Sequence, residues 1–130
     1  MAIHVMAALS YNRGKTLPSA TLASTVGTNP SFLRQLIGRL AAAGLVETKL
    51  GKGGGTTLRA NASEVTLLDI YRATSSPELI PQHSACVDGR CVVADAIPSM
   101  LSDVDTQLRR VVETELANTR LDSLIARYVR

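Results

Sequence analysis

With 130 residues, 45% of them hydrophobic, and a net charge of +3, the chain is long enough for one modest core but too short for two ordinary domains. No stretch approaches the roughly 20 uncharged apolar residues that cross a bilayer, and the opening segment lacks the basic region of a secretory signal. We therefore expect no membrane partner and a cytoplasmic location.

Two short helices are predicted at the start of the chain, over residues 2–11 and near residues 19–25. Their apolar residues recur at mostly helical intervals and are expected to face the core: Ile3, Val5, Met6 and Leu9 in the first, and Leu22, Ala23 and Val26 in the second. Gly27 and Thr28 break the second helix.

Asn29 and Pro30 mark the start of a third helix, because asparagine accepts N–H groups of the first turn and proline tolerates the first helical position. The helix is predicted to run to Ala43, where Gly44 supplies a left-handed cap. One face is apolar and is expected to be buried: Leu33, Leu36, Ile37 and Leu40. The opposite face is polar or small: Ser31, Arg34, Gln35, Gly38 and Arg39.

A short helix, a tight turn and a longer helix with a polar outer face form the helix-turn-helix pattern, whose second helix enters the major groove of DNA. Arginine can make two hydrogen bonds to guanine and glutamine two to adenine, so Arg34 and Gln35 are candidates for base recognition. The alternative is that these side chains only solvate an exposed helix face.

The next segment favours the DNA-binding interpretation. Residues 46–50 and 56–59 are predicted strands joined by a glycine-rich turn, which makes a β-hairpin wing. Glycines at its tip let the backbone approach phosphates, and basic residues add charge. The candidate contacts are Lys52, Gly53, Gly54 and Arg59. A nucleotide-binding loop would need a Lys-Ser/Thr pair and a helix start after Gly55, and neither follows.

The charge is unevenly distributed along the chain. Residues 1–60 carry seven basic and one acidic side chain, a net charge of +6, whereas the remainder carries seven basic and ten acidic side chains, a net charge of −3. Chance placement is one explanation. The other is that only the first half approaches a polyanion such as double-stranded DNA.

Beyond the wing, a helix from Glu64 to Ala73 is expected to pack against the first helix, and residues 75–90 are predicted to be a loop. Asp95 is a candidate N-cap of a long helix that would carry Pro98 in its first turn. A heptad-like apolar stripe follows it: Ile97, Leu101, Val104, Leu108 and Val111. Its partner is either a second copy of the chain, which we favour, or the chain's own core.

A last helix is predicted to begin at Thr119, with Asp122 completing a capping box. Its apolar face comprises Leu121, Leu124, Ile125 and Tyr128. The predicted fold class is therefore mainly α with a small β-hairpin, a winged helix-turn-helix with a long dimerisation helix. We expect a DNA-binding domain over 1–75, a cysteine-containing loop over 76–94 and a helical arm over 95–130 that packs back on the core.

The element order, with the segments NPSFLRQLIGRLAAAGLVETKLGKGGG and EVTLLDIYRA, closely resembles the Rrf2 family of bacterial winged-helix regulators from Ala2 to about Tyr128. The resemblance implies a homodimer that binds a pseudo-palindromic operator and acts as a repressor. It also implies that Ser31, Arg34 and Gln35 lie in the major groove. Two departures are Thr28, where the family commonly has an apolar residue, and Thr56, where it commonly has an aromatic one.

Cluster-binding members of this family carry three cysteines before the dimer helix, whereas this chain has only Cys86 and Cys91. Its CVDG segment is similar to the single-cysteine segment of a cofactor-free group, so no iron-sulfur cluster or other cofactor is expected. Three interpretations remain open: incidental thiols, a redox switch that includes a disulfide, and a metal site with His83.

Two other functional classes are disfavoured. An enzyme would need a nucleophile paired with a base, and the sequence suggests no such constellation. A winged helix that binds only proteins would not need the basic first half and would present a more apolar helix face.

Overall fold

The computed structural model describes residues 1–59, 61, 63–75, 78–81 and 91–129. Within these residues the chain forms six helices and one two-stranded sheet. The helices are α1 (Ala2–Tyr11), α2 (Ser19–Val26), α3 (Pro30–Ala42), α4 (Leu67–Thr74), α5 (Val92–Asn118) and α6 (Leu121–Tyr128), and the strands are β1 (Val46–Lys49) and β2 (Gly55–Leu58). The predicted fold class, mainly α with a small hairpin, is confirmed.

The chain divides into two compact units, Met1–Ser75 with Leu116–Arg130, and Ser76–Glu115. The first unit contains α1 to α4, the hairpin and α6, and its core is aliphatic. The core side chains are Val5, Met6, Leu9, Leu22, Ala23, Leu33, Leu36, Ile37, Leu40, Leu45, Val46, Val65, Ile70 and Leu121. Burying each large aliphatic side chain contributes about 1.5–3 kcal/mol, so this cluster is the main source of stability in the unit.

The boundaries of α1 to α3 follow local signals. Gly27 ends α2 with a φ of 69°, and the Asn29 side chain caps α3 by accepting a hydrogen bond of 2.8 Å from the Phe32 N–H. Gly44 follows α3 with a φ of 74°. One inward assignment is wrong: Ile3 is 42% exposed, because it falls on the outer side of α1 while Ala2 packs against the core.

Helix α4 begins at Leu67 and not at the predicted Glu64. Thr66 caps it with a reciprocal capping box, in which Thr66 Oγ1 accepts from the Asp69 N–H and Asp69 Oδ2 accepts from the Thr66 N–H at 2.8 Å. Val65 is buried but precedes the helix. The apolar pattern therefore begins before the first residue of the helix, and the Thr66 cap determines where the helix starts.

Helix α6 begins at Leu121, and the predicted capping box from Thr119 is wrong: Arg120 is the N-cap, with no side-chain cap hydrogen bond. A backbone bridge takes the place of a cap. The Leu121 N–H donates to the Val65 carbonyl and the Leu67 N–H to the Thr119 carbonyl, each at 2.9 Å. Leu121 and Ile125 pack into the core, whereas Tyr128, predicted to face inward, is 72% exposed.

Helix α5 begins at Val92, four residues before the start that an N-cap at Asp95 would give, so Pro98 lies inside the helix and not in its first turn. Cys91 takes the capping position that we predicted for Asp95, and the Asp95 N–H donates to the Cys91 carbonyl at 3.0 Å. Because proline has no N–H, Pro98 leaves the Ala94 carbonyl without its usual helical donor.

In the second unit, a buried carboxylate on α5 holds the preceding segment. Asp105 Oδ1 accepts the backbone N–H groups of Leu79 and Ile80, both at 2.8 Å, and its Oδ2 accepts the Arg109 guanidinium. The Ile80 N–H and then the Arg109 side chain hold the pKa of Asp105 below its usual value. The carboxylate therefore stabilises this short segment against the helix.

Candidate DNA interface

The polar face of α3 is exposed as the sequence predicted. The capping of α3 by Asn29 and the burial of its four core residues turn the opposite side of the helix outward. Exposed residues on this side are Ser31, Arg34, Gln35, Gly38 and Arg39. A methyl group at Gly38 would meet no atom within 4 Å, so the middle of this face is flat and open to a close approach.

The two sides of this face differ in their surroundings. Arg34 and Gly38 line a groove of about 410 Å³ between α3 and the wing, whose other wall includes Lys49 and Leu50. Gln35 and Arg39 lie on the α4 side, where Arg39 Nη1 donates to the Thr74 carbonyl at 3.3 Å. One bond of this kind leaves most of the five guanidinium donors of Arg39 available.

The wing is an antiparallel pair in which Val46 faces Leu58 and Lys49 faces Gly55. The strands were predicted as Val46–Leu50 and Thr56–Arg59; Leu50 lies outside β1 because the turn begins there, and Gly55 joins β2. Both predicted basic contacts, Lys52 in the turn and Arg59 after β2, are exposed.

The glycines of the turn have different roles. A Cβ on Gly54 would lie 2.2 Å from the Lys49 carbonyl oxygen and 2.8 Å from that of Gly51, so the hairpin requires glycine there. Gly53, with a φ of 78°, has no neighbour within 4 Å of a Cβ and is exposed. Among the predicted backbone contacts, Gly53 is therefore open to a phosphate, whereas Gly54 packs inside the turn.

A third segment pairs with the wing. The Leu17 N–H donates to the Thr56 carbonyl at 2.9 Å, and the Thr56 N–H donates to the Leu17 carbonyl at 2.8 Å. Thr56 itself is 1% exposed, so in this chain a small buried side chain occupies the position where the family commonly has an aromatic one. This bridge holds the turn end of the hairpin against the loop between α1 and α2.

Sequence reasoning missed two exposed apolar residues at this surface. Leu50 is 97% exposed at the wing turn, and Phe32 is 47% exposed beside Gln35 on α3. The sequence indicated the exposure of Leu50 by its position between a strand and a glycine turn, because glycines have no side chains that could cover it. Phe32 precedes the buried Leu33, and the helical periodicity of the core face excludes Phe32, so its exposure could have been predicted.

The heptad-like stripe of α5 is largely uncovered. Val104 and Leu108 are each 46% exposed and Val111 is 63% exposed, while Ile97 and Leu101 are half-buried. Met100, 57% exposed, extends the same side of the helix. No helix in the described parts of the chain is both long enough and apolar enough to span a membrane.

Cys91 is exposed at the start of α5, whereas Cys86 and His83 lie outside the described residues. The backbone N–H groups of Ala94 and then Val93 donate toward the Cys91 sulfur and lower the pKa of the thiol. The described residues hold no cluster of three metal-ligating side chains. The chain has two cysteines, one fewer than the cluster-binding members of the family that it resembles, so the absence of an iron-sulfur cluster stays a prediction.

Comparison with known proteins supports a regulatory function. YwnA of Bacillus subtilis (strain 168), named as an HTH-type transcriptional regulator, is 26% identical over 125 residues, covering 96% of this chain and 92% of YwnA. The crystal structure of Staphylococcus aureus CymR is 28% identical with a TM-score of 0.70, covering 99% of this chain and 94% of CymR. Its oxidised form has a TM-score of 0.68 at 26% identity, covering 99% and 92%.

A transcriptional regulator from Lactobacillus plantarum shows the shared fold at a TM-score of 0.78 and 24% identity, covering 96% of this chain and 85% of its own. The profile of the Rrf2 family, described as iron-dependent transcriptional regulators, matches residues 1–127. Because this match spans nearly the whole chain, the protein belongs to the Rrf2 family of DNA-binding transcriptional regulators and is not an enzyme.

Proposed function

We propose that the chain is a homodimeric repressor that binds a pseudo-palindromic operator in double-stranded DNA. The groove between α3 and the wing carries this proposal, since it places the exposed Arg34 next to a basic hairpin. A helix in the major groove and a hairpin in the flanking minor groove would hold the intervening phosphate strand between them.

The residues divide by task. Base recognition falls to the exposed polar face of α3, with Ser31, Arg34, Gln35 and Arg39. Phosphate contacts fall to the wing, with Lys52, Gly53, Gly54 and Arg59, although Gly54 acts through the shape of the turn. Two copies would present their α3 helices to half-sites one DNA turn apart, about 34 Å.

Dimerisation is assigned to the arm over residues 95–130, through the stripe of Ile97, Leu101, Val104, Leu108 and Val111. The uncovered side chains on α5 support it, because three apolar residues on one helical side gain by packing against a second copy. Repression, in contrast to activation, rests on the family resemblance alone.

A thiol switch that uses Cys86 and Cys91 is the proposed control. The lowered pKa of the Cys91 thiol favours the thiolate, and the relative CymR has been solved in an oxidised form. Oxidation by hydrogen peroxide would join Cys86 and Cys91 in a disulfide: two thiols lose two electrons and two protons, and the hydrogen peroxide takes them up to give two waters. The proposed switch needs no iron-sulfur cluster. We therefore expect the protein to stay colourless after anaerobic incubation with iron and sulfide.

The test is a salt-titrated binding assay on duplexes selected from a random pool. It uses the reduced protein, the peroxide-treated protein and the variant with both Cys86→Ser and Cys91→Ser. We expect a palindrome whose affinity falls only when the native protein is oxidised. A palindrome bound equally in all three states would remove the thiol switch and keep the regulator.

Two further outcomes bear on the other parts of the proposal. A pool without any enriched duplex would favour a winged helix that contacts proteins. A reporter gene placed behind the selected palindrome should be less expressed when the native protein is present, and higher expression would make the protein an activator.

A further inference from the structure

Leu50 directly follows β1 and is 97% exposed, more than any other large hydrophobic residue in the described part of the chain. Singly exposed hydrophobic residues are common on protein surfaces, so what singles out Leu50 is its place on the groove between α3 and the wing, which it lines together with Arg34. The position is therefore a candidate contact, and the question is which molecule covers it.

The turn prevents Leu50 from folding back on its own core. Gly54 donates its N–H to the Gly51 carbonyl at 2.9 Å and packs against the Lys49 carbonyl, so the residues on both sides of Leu50 are fixed. Gly51 and Gly53 both have positive φ angles, of 94° and 78°, a conformation that glycine adopts without steric cost. The Leu50 side chain is consequently exposed next to the groove and does not pack on the core.

Charge around Leu50 indicates a polyanion and not an apolar protein surface. Lys49 precedes it, Lys52 follows two residues later, and both are exposed. The groove that Leu50 borders also receives Arg34 from α3. An apolar tip between cations suits the minor groove, where sugars form apolar walls and phosphates line both edges.

We infer that Leu50 inserts into the minor groove flanking each half-site and selects A·T over G·C pairs there. This rests on the proposed DNA binding by α3 and the wing, and it adds a specificity residue to it. The selection is indirect, because leucine has no hydrogen-bonding group.

The chemistry of the groove floor supplies the discrimination. A·T and T·A pairs present only acceptors in the minor groove, whereas a G·C pair adds the guanine 2-amino group. A leucine over that amino group removes its water and offers no acceptor in exchange, so binding weakens. The bulk of the amino group also raises the floor beneath the side chain.

The experiment uses duplexes with the half-sites selected from the random pool and one flanking pair changed to A·T, G·C or inosine·C. Inosine keeps the major-groove groups of guanine and lacks the 2-amino group, so it isolates the minor-groove difference. The proteins are the native chain, Leu50→Ala and Leu50→Met. Val92→Ala is the matched control, since Val92 is 85% exposed outside the wing.

For the native chain we expect A·T and inosine·C flanks to bind about tenfold more tightly than G·C, the effect of one well-placed apolar contact. Leu50→Ala should bind all three duplexes within about twofold of one another, while Leu50→Met and Val92→Ala keep the preference. Equal discrimination by native chain and Leu50→Ala, or none by the native chain, would overturn the inference while leaving DNA binding intact. Failure to select any duplex would overturn the proposed function itself and the inference with it.

Discussion

Arg34 and Lys52 carry the same charge but occupy different settings, one beside the groove wall on α3 and the other in the wing turn. Arg34→Ala should weaken binding to the selected duplex by about 1–3 kcal/mol and relax preference at one base position, because a base contact is lost. Lys52→Ala should weaken all duplexes alike and reduce the slope of log affinity against log salt by about one.

Arg110→Ala is the matched control for both substitutions, since Arg110 is an exposed arginine on α5, a helix that carries none of the predicted DNA contacts. Its affinity should equal that of the native protein at every salt concentration. If Arg34→Ala and Lys52→Ala also behave like the control, α3 and the wing do not contact DNA as proposed.

The buried carboxylate of Asp105 makes the second unit sensitive to acid. The pKa of Asp105 is lowered in the folded protein, so the ionised carboxylate contributes to the free energy of unfolding. This contribution is complete above the ordinary carboxyl pKa of about 3.9 and is lost as the pH falls through the pKa of the folded protein. Asp105→Asn should therefore be less stable than the native chain at pH 7, with the difference shrinking in acid. Urea unfolding at a series of pH values measures this, and a constant difference would contradict it.

The hairpin shows at the scale of an element why some glycines cannot be replaced. Gly54→Ala places a Cβ 2.2 Å from the Lys49 carbonyl, which should destabilise the protein by about 1–3 kcal/mol or displace the turn. Gly38→Ala is the matched control: its Cβ meets nothing within 4 Å, and alanine favours a helix by up to about 1 kcal/mol. Opposite shifts in urea midpoint are expected, and shifts of the same sign would show that the turn accommodates a side chain.

Local chemistry made the first three helices predictable, since Asn29, Pro30 and the glycines after α2 and α3 act within one turn of the chain. The same chemistry was present at Thr66 and Asp69, but the apolar pattern from Glu64 onward obscured it. The start of α5 was misplaced because aspartate is a common cap and cysteine is not.

Contacts between distant parts of the chain could not be predicted in this way. The Arg39 bond to Thr74 and the clamp on Leu79 and Ile80 depend on where whole elements meet. Sequence spacing does place Ser31, Arg34 and Gln35 on one face, and the structure agrees on their exposure. It does not reveal that Arg34 and Arg39 have different surroundings, since the wing and α4 determine these.

For the whole molecule, the exposed stripe on α5 predicts the state of assembly. Leu108→Glu should shift the protein from dimer to monomer in sedimentation equilibrium, because a charge in a packed apolar seam loses its water without a partner. Binding to a palindrome should weaken with it, whereas binding to a single half-site should change little.

Thr106→Glu is the control with the same added charge, because Thr106 is exposed and lies on the side of α5 away from the stripe. It should remain dimeric at concentrations where Leu108→Glu is monomeric. A native protein that is monomeric at all concentrations would contradict the assignment of the arm to dimerisation.

The backbone bridge between Leu17 and Thr56 also bears on how binding preference can diverge among duplicated copies of such a gene. Main-chain N–H and carbonyl groups hold the turn end of the hairpin, so its placement does not depend on which side chains occupy the turn. Side chains such as Leu50 and Lys52 can then be exchanged by mutation while the frame stays in place. Single substitutions in the turn can therefore change the DNA sequence that is preferred. Proline at position 17 or 56 would remove a backbone N–H donor of the bridge and displace the hairpin.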